Sequence, residues 1–296
     1  MSADRSRVSG PSAGILLFSL GIFFFALNDA LGKWLVSDYT VGQIMFVRSL
    51  GAAAVILPFA WRSSVSLRLR GQWAFHALRV VCMTVDSFAF YYATKYLPLA
   101  DVMTYYLAAP LIITALSVPL LGEKVGLFRW SAVLVGFIGV VLALHPTSAA
   151  FSPAALVALF GSSMFAVTIT ITRRLRDTHW LPLTVWQIAG AGLAGGVAST
   201  HAWLQPGLVD FSLMALVGII SMGSFICIIK ALQLVDASAI APFQYVSIVW
   251  AIILGWLIWG DIPDTAMAAG IVIIVASGLV LWWREQKRAT VLPSLP

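Results

Sequence analysis

Charge is what this chain has least of, since only 10% of its 296 residues are Asp, Glu, Lys or Arg. Cysteine is scarcer still: Cys82 and Cys227 both fall inside apolar runs. They read as small core side chains with no disulfide role, and they say little about redox compartment. Histidine is limited to His76, His145, His179 and His201, near the ends of apolar runs, with no H-E-x-x-H and no G-x-S-x-G around any serine. Neither a metal centre nor a nucleophile with its base is spelled out, and nothing calls for a cofactor, so an intramembrane enzyme is disfavoured. The breaks between apolar runs are too short for a soluble domain, which argues against a receptor-like or purely structural protein. No A-x-A-like cleavage site follows the first apolar run, and that run carries Asn28, Asp29 and Lys33, so it reads as a retained first helix.

What is abundant is oil. Apolar residues make up 60% of the chain and aromatic ones 12%, with a mean hydropathy of +0.95. That leaves too little polar surface to cover a globule in water and places the chain in a bilayer. The alternation of a membrane barrel is absent, and a helix needs about 20 apolar residues to cross the hydrocarbon while satisfying its own backbone. Charge and turn punctuation predicts ten spans: 13–35, 41–60, 72–96, 99–121, 128–145, 152–172, 181–203, 211–234, 237–259 and 265–283. The expected fold is all-α and integral to the membrane, with ten transmembrane helices.

Basic residues set the orientation. With the N-terminus inside, cytoplasmic segments collect Arg5, Arg7, Arg62, Arg68, Arg70, Lys124, Arg129, Arg173, Arg174, Arg176, Arg284, Lys287 and Arg288, against Lys33 and Lys95 on the other face. Thirteen against two predicts both termini to be cytoplasmic. The net charge of +6 then follows from topology and anionic lipid, with no nucleic-acid partner required.

Two oily stretches close on glycine plus a carboxylate, at Gly122–Glu123 and Gly260–Asp261. A shift of 138 residues superposes them and also places Ala231 over Ala93 and Leu254 over Leu116. The repeated punctuation predicts a five-helix unit over 13–145 and a second over 152–283, between cytoplasmic tails 1–12 and 284–296. Five is odd, so the second unit enters from the opposite side and the repeats are inverted, the arrangement that supports alternating access to a shared site.

The start of the second helix, Phe46–Ser49 (F-V-R-S), and the end of the fourth, Pro110 followed by Leu120–Lys124 (L-L-G-E-K), in that order and spacing, resemble the ten-helix EamA branch of the drug/metabolite transporter superfamily. Within it the chain is similar to the YddG-type amino-acid exporters. The resemblance implies a transporter, not an enzyme, exporting amino acids, aromatic and other neutral ones included, or related small metabolites across a bacterial inner membrane. Export of another metabolite or drug class is the alternative.

Read for themselves, the few intramembrane charges are costly, about 2.5–3.5 kcal/mol each at the bilayer centre, and are expected to be paired or to line a wet cavity. Asp29 and Lys33 have the spacing of a helical ion pair at the interface. Asp86 and Arg48 fall at depths of roughly 15 and 10 Å, where they could form a structural pair; alternatively, Asp86 faces a central cavity. Arg79 is expected to snorkel to phosphates or loop carbonyls. Glu123 and Asp261 are expected to cap neighbouring helix N-termini. Candidate substrate-binding residues are Asn28, Asp86, Tyr91, Tyr105, Ser163, Met164, Thr168, Ser224, Gln244, Tyr245, Ser247 and Trp250, with Tyr92 and Tyr106 in the same polar and aromatic set. Few fixed charges imply broad specificity. The G-x-x-x-G pair Gly192 and Gly196 reads as close helix packing, with a dimer face as the lesser alternative to a monomer.

Overall fold

The computed structural model describes residues 11–69, 71–97, 99–144, 152–200 and 202–259, with isolated positions between 269 and 283. The described residues form helices joined by short connections: α1 (Pro11–Val36), α2 (Val41–Arg62), α3 (Trp73–Tyr96), α4 (Leu99–Tyr106), α5 (Ala109–Leu121), α6 (Leu127–Leu144), α7 (Pro153–Arg174), α8 (Trp180–Ser199), α9 (Leu208–Leu234), α10 (Ala237–Ile240) and α11 (Val246–Trp259). Six stretches, Ser12–Val36, Val41–Arg62, Pro153–Arg174, Trp180–Ser199, Leu208–Leu234 and Ala237–Ile258, are long and apolar enough to cross a membrane. Large apolar side chains such as Leu16, Leu193 and Val197 point outward with more than half of their surface exposed. A perimeter of that kind is stable against lipid and aggregates in water. The molecule is a multi-pass membrane protein.

Most expected spans coincide with single helices, but two do not. The span 99–121 is interrupted at Leu107–Ala108, between α4 and α5, and the span 237–259 consists of α10, a 3-10 turn at Ala241–Tyr245 and α11. A proline opens the second piece each time, Pro110 in α5 and Pro242 in the 3-10 turn. Without an N–H, proline cannot donate to the preceding turn, and its ring displaces that carbonyl. The expected tenth span, 265–283, is described only at isolated helical positions, and the capping role of Asp261 lies outside the described residues.

Local signals fix the other boundaries. Thr40 accepts from the Gln43 N–H to start α2, and Ser152 accepts from the Ala155 N–H ahead of Pro153 to start α7. Gly122, at φ +68°, ends α5: its N–H donates to Val118 O at 3.0 Å and that of Glu123 to Ser117 O at 3.2 Å. This left-handed stop favours glycine, and it turns the Glu123 carboxylate toward α10.

The helices pair across the middle of the chain. Along α1, Gly14 lies against Val235 and Gly21 against Ile228 of α9; along α2, Gly42 meets Ala198 and Gly195 meets Phe46 of α8 and α2. Along α3, Arg79 bonds Thr172 whereas Ala89 lies against Gly161 of α7. Each pair therefore runs antiparallel. Between helices in lipid, close packing of small residues replaces the hydrophobic drive, and it is tightest where α9 crosses α2: Gly218 faces the backbone carbonyl of Arg48, and Gly51 faces Ala215. Gly192 and Gly196 face Ser49 and the Phe46 ring, so the G-x-x-x-G pair seats α8 on α2.

Candidate functional site

Both interruptions open on one buried cavity. Tyr106 closes α4 just before the first break, Gln244 lies in the 3-10 turn of the second, and Ser247 follows in α11. These line a hollow of about 70 Å³ with Ile22, Phe25, Asn28 and Asp29 of α1, Arg48 of α2, Met83, Asp86, Ser87, Phe90 and Tyr91 of α3, Met103 of α4 and Phe165 of α7. The walls are aromatic and interlocked: Phe25 stands edge-on to Phe165 at 6.0 Å and Phe90 edge-on to Tyr106 at 5.3 Å between ring centres.

The charged groups do not neutralise one another directly. The Tyr106 hydroxyl donates to Asp86 Oδ1 at 2.7 Å, and Arg48 Nη1 donates to the Tyr91 hydroxyl at 2.9 Å. The structural Asp86–Arg48 pair is therefore not formed; each partner takes a tyrosine instead. Space for those rings comes from glycine: a side chain at Gly161 would strike the Tyr106 hydroxyl and one at Gly32 the Tyr91 ring. Asp29 turns inward as well, accepting from Asn28 Nδ2 at 3.0 Å. Two carboxylates and one guanidinium thus face a common low-dielectric space. Arg48 carries five N–H donors and spends one on Tyr91.

Of the residues expected at the site, Asn28, Asp86, Tyr91, Gln244 and Ser247 line the cavity. The others lie elsewhere. Ser163 and Thr168 return their hydroxyls to Leu159 O and Met164 O of their own helix, and the side chain of Met164 is half-buried. On α7 the face toward the cavity is that of Phe165. Ser224 joins α9 to Gly21 O of α1 at 2.8 Å. Tyr245 is buried against Gly136, Trp250 stands edge-on to Phe23, and Tyr105 is half-buried at the edge of the α1–α2–α3 core. Arg48 and Asp29, expected as structural charges, line the hollow. Its apolar wall was not anticipated, although Met83, Asp86 and Phe90 recur on α3 at the spacing of one helical face. Arg79 does not snorkel. It is buried, with Nε donating to Thr172 Oγ1 at 2.8 Å and Nη1 to Leu183 O at 3.1 Å.

The two ends of the bundle are tied differently. At one end Glu123 accepts from the N–H groups of Ala237 and Ser238, both at 3.0 Å, and so caps α10. Arg173 bonds Asp236 Oδ1 at 2.7 Å and Leu232 O at 2.7 Å, and Arg129 donates to Ser238 Oγ at 2.9 Å. At the other end Gln43 exchanges two bonds with Leu204, and Tyr39 donates to Asp210 at 2.7 Å. The Asp210 carboxylate beside it pushes the Tyr39 hydroxyl above the ordinary phenol range. Glu123→Ala removes the acceptor of two amides and of the Ser238 hydroxyl, while Arg173 keeps its bonds to Asp236 and Leu232. The substitution is expected to cost about 1–3 kcal/mol, seen as a lower melting temperature in detergent; an unchanged melt would show that the cap is dispensable.

Comparison with known proteins places this geometry among transporters. The EamA-like transporter family matches residues 12–145 and again 152–283. The chain is 28% identical to an S-adenosylmethionine uptake transporter of Rickettsia prowazekii, over 93% of this chain and 94% of that one. It is 26% identical to a pseudopaline exporter of Pseudomonas aeruginosa, over 91% and 95%, and 28% identical to a riboflavin transporter of Vibrio cholerae, over 94% and 95%. None of these three is named for amino-acid export. A crystal structure of a protein 18% identical, covering 93% of this chain and 98% of that one, superposes with a TM-score of 0.79 and shows the same fold.

Proposed function

Because the chain belongs to the EamA-like transporter family, we propose that it is a secondary transporter carrying amino acids, or small metabolites with an amino-acid end, across the bacterial inner membrane by alternating access, chiefly as an exporter. One observation carries the reading: the Arg48 guanidinium and the carboxylates of Asp29 and Asp86 open on the same aromatic-walled cavity without pairing with one another. Arg48 has donors in reserve for a substrate carboxylate, the acids attract its ammonium, and Phe25, Phe90 and Phe165 flank its body. S-adenosylmethionine, the compound for which one relative is named, ends in an α-amino acid.

The antiparallel pairing of α1 with α9, α2 with α8 and α3 with α7 supports two five-helix halves related as inverted repeats. The arginine-rich end that holds Arg129, Arg173 and Arg174 is the cytoplasmic one in this reading, in accord with the basic loops. A hollow of about 70 Å³ holds only a few waters, against roughly 300–1,000 Å³ for ligand pockets. A substrate therefore enters only as the halves part, as expected of a site that opens to one side at a time.

The test is flux. Purified protein in liposomes is expected to give saturable, protein-dependent movement of labelled methionine, phenylalanine or S-adenosylmethionine. Failure to move any labelled amino acid, or S-adenosylmethionine, in either direction would sink the proposal.

A further inference from the structure

We propose that Asn28 and Gln244 form a subsite for a primary ammonium group, which selects substrates by the number of N–H donors they present. The inference rests on the transporter reading above and adds what chemistry that end of the substrate must have. Both side chains are buried, at 4% and 5% exposure, and both line the cavity. Asn28 Oδ1 and Gln244 Oε1 are without a donor among the described residues. A buried acceptor left unmade costs about 1–3 kcal/mol, and here two residues that line one hollow each carry such an oxygen, from opposite halves of the chain: Asn28 on α1 and Gln244 in the 3-10 turn.

The Asn28 amide cannot simply turn over. Its Nδ2 donates to Asp29 Oδ1 at 3.0 Å, and the reverse orientation would set two oxygens against each other. The Asn28 oxygen is thereby held as an acceptor with the Asp29 carboxylate adjoining, and the Gln244 amide, which no hydrogen bond among the described residues fixes, is able to present its oxygen as a second. A protonated primary amine brings three N–H donors and one positive charge, which match two neutral oxygens and one carboxylate. Arg48, backed by Tyr91, is left to hold the carboxylate end. A quaternary ammonium has no N–H to give; it would leave both amide oxygens stranded and would depend on the faces of Phe25 and Phe90. The two modes of recognition are thus separable by methylation of the substrate nitrogen.

The measurement is competition in proteoliposomes. Uptake of labelled L-methionine and of labelled S-adenosylmethionine is competed with unlabelled L-methionine and with N,N,N-trimethyl-L-methionine, which keeps the carboxylate, the charge and the side chain. The trimethyl compound is expected to be at least about tenfold the weaker competitor, the equivalent of one lost charge-assisted hydrogen bond. Gln244→Leu is expected to weaken methionine about tenfold and leave the trimethyl compound unchanged, whereas Gln244→Glu, which keeps an acceptor, retains the preference. Equal competition by the two compounds on the unmodified protein would overturn the subsite while leaving the transporter reading intact. Absence of flux for both labelled probes would overturn both together. Because the comparison of competitors needs no variant, a misfolded Gln244→Leu protein does not blunt it.

Discussion

Gly218→Val yields no monodisperse protein in mild detergent, while Gly223→Ala on the same helix purifies and melts like the parent: that contrast is the largest effect expected on the fold. At Gly218 an added Cβ would occupy the space of the Arg48 backbone carbonyl, whereas at Gly223 its nearest neighbour is the Phe24 ring at 3.9 Å, an ordinary contact. Overpacking in a tight core costs about 1–3 kcal/mol even where side chains can adjust, and here the obstacle is backbone. The only relief is to separate α9 from α2, which also loosens the contact of Gly51 with Ala215. Size-exclusion chromatography with a thermal melt decides the matter. A Gly218→Val protein that elutes and melts like the parent would mean that α2 and α9 are not packed as described.

Asp86→Asn produces the largest expected loss of transport, with the fold preserved. The asparagine Oδ1 still accepts from Tyr106, whose hydroxyl now sits 2.7 Å from Asp86 Oδ1, so the helix contacts survive. What disappears is one of the ionisable carboxyl groups that face the ammonium of the proposed substrate. A hydrogen bond to a charged partner is worth about 1.5–3 kcal/mol, so flux at limiting substrate is expected to drop by roughly 10- to 100-fold at unchanged protein yield. Tyr106→Phe acts in the other direction on the same contact, leaving the carboxylate in place without its donor. If Asp86→Asn transports normally, the carboxylate is not part of the substrate path; if it fails to accumulate, Asp86 is a structural residue.

Much of this could be read before the structure, and the failures share a cause. Hydropathy locates the membrane crossings because the lipid constrains them directly, and the Gly122–Glu123 ending announces its helix stop and its cap. Hydropathy cannot see the interruptions at Leu107–Ala108 and Ala241–Tyr245, because broken backbone is tolerated at membrane depth where it borders a cavity. The prolines were visible, yet Pro58 and Pro119 lie within helices that continue past them, so proline alone does not mark a break. Counting 1.5 Å per residue put Asp86 and Arg48 within about 5 Å of each other in depth, but depth carries no information on azimuth. The rings of Tyr91 and Tyr106, admitted by Gly32 and Gly161 on other elements, stand where a direct pair would have formed. Ser163 and Met164 fail likewise: their depth is that of Phe165, and their direction is not.

The Glu123 cap has a mechanical consequence. One carboxylate fastens the trailing end of one broken rod to the leading end of the other, and those same rods present Tyr106 and Gln244 to the hollow. The rods are yoked like a pair of oars on a single thole, so a guest that wedges them apart at mid-depth loads the clasp at the rim. In the alternating-access cycle proposed above, the strain of parting the two halves is expected to fall on that clasp.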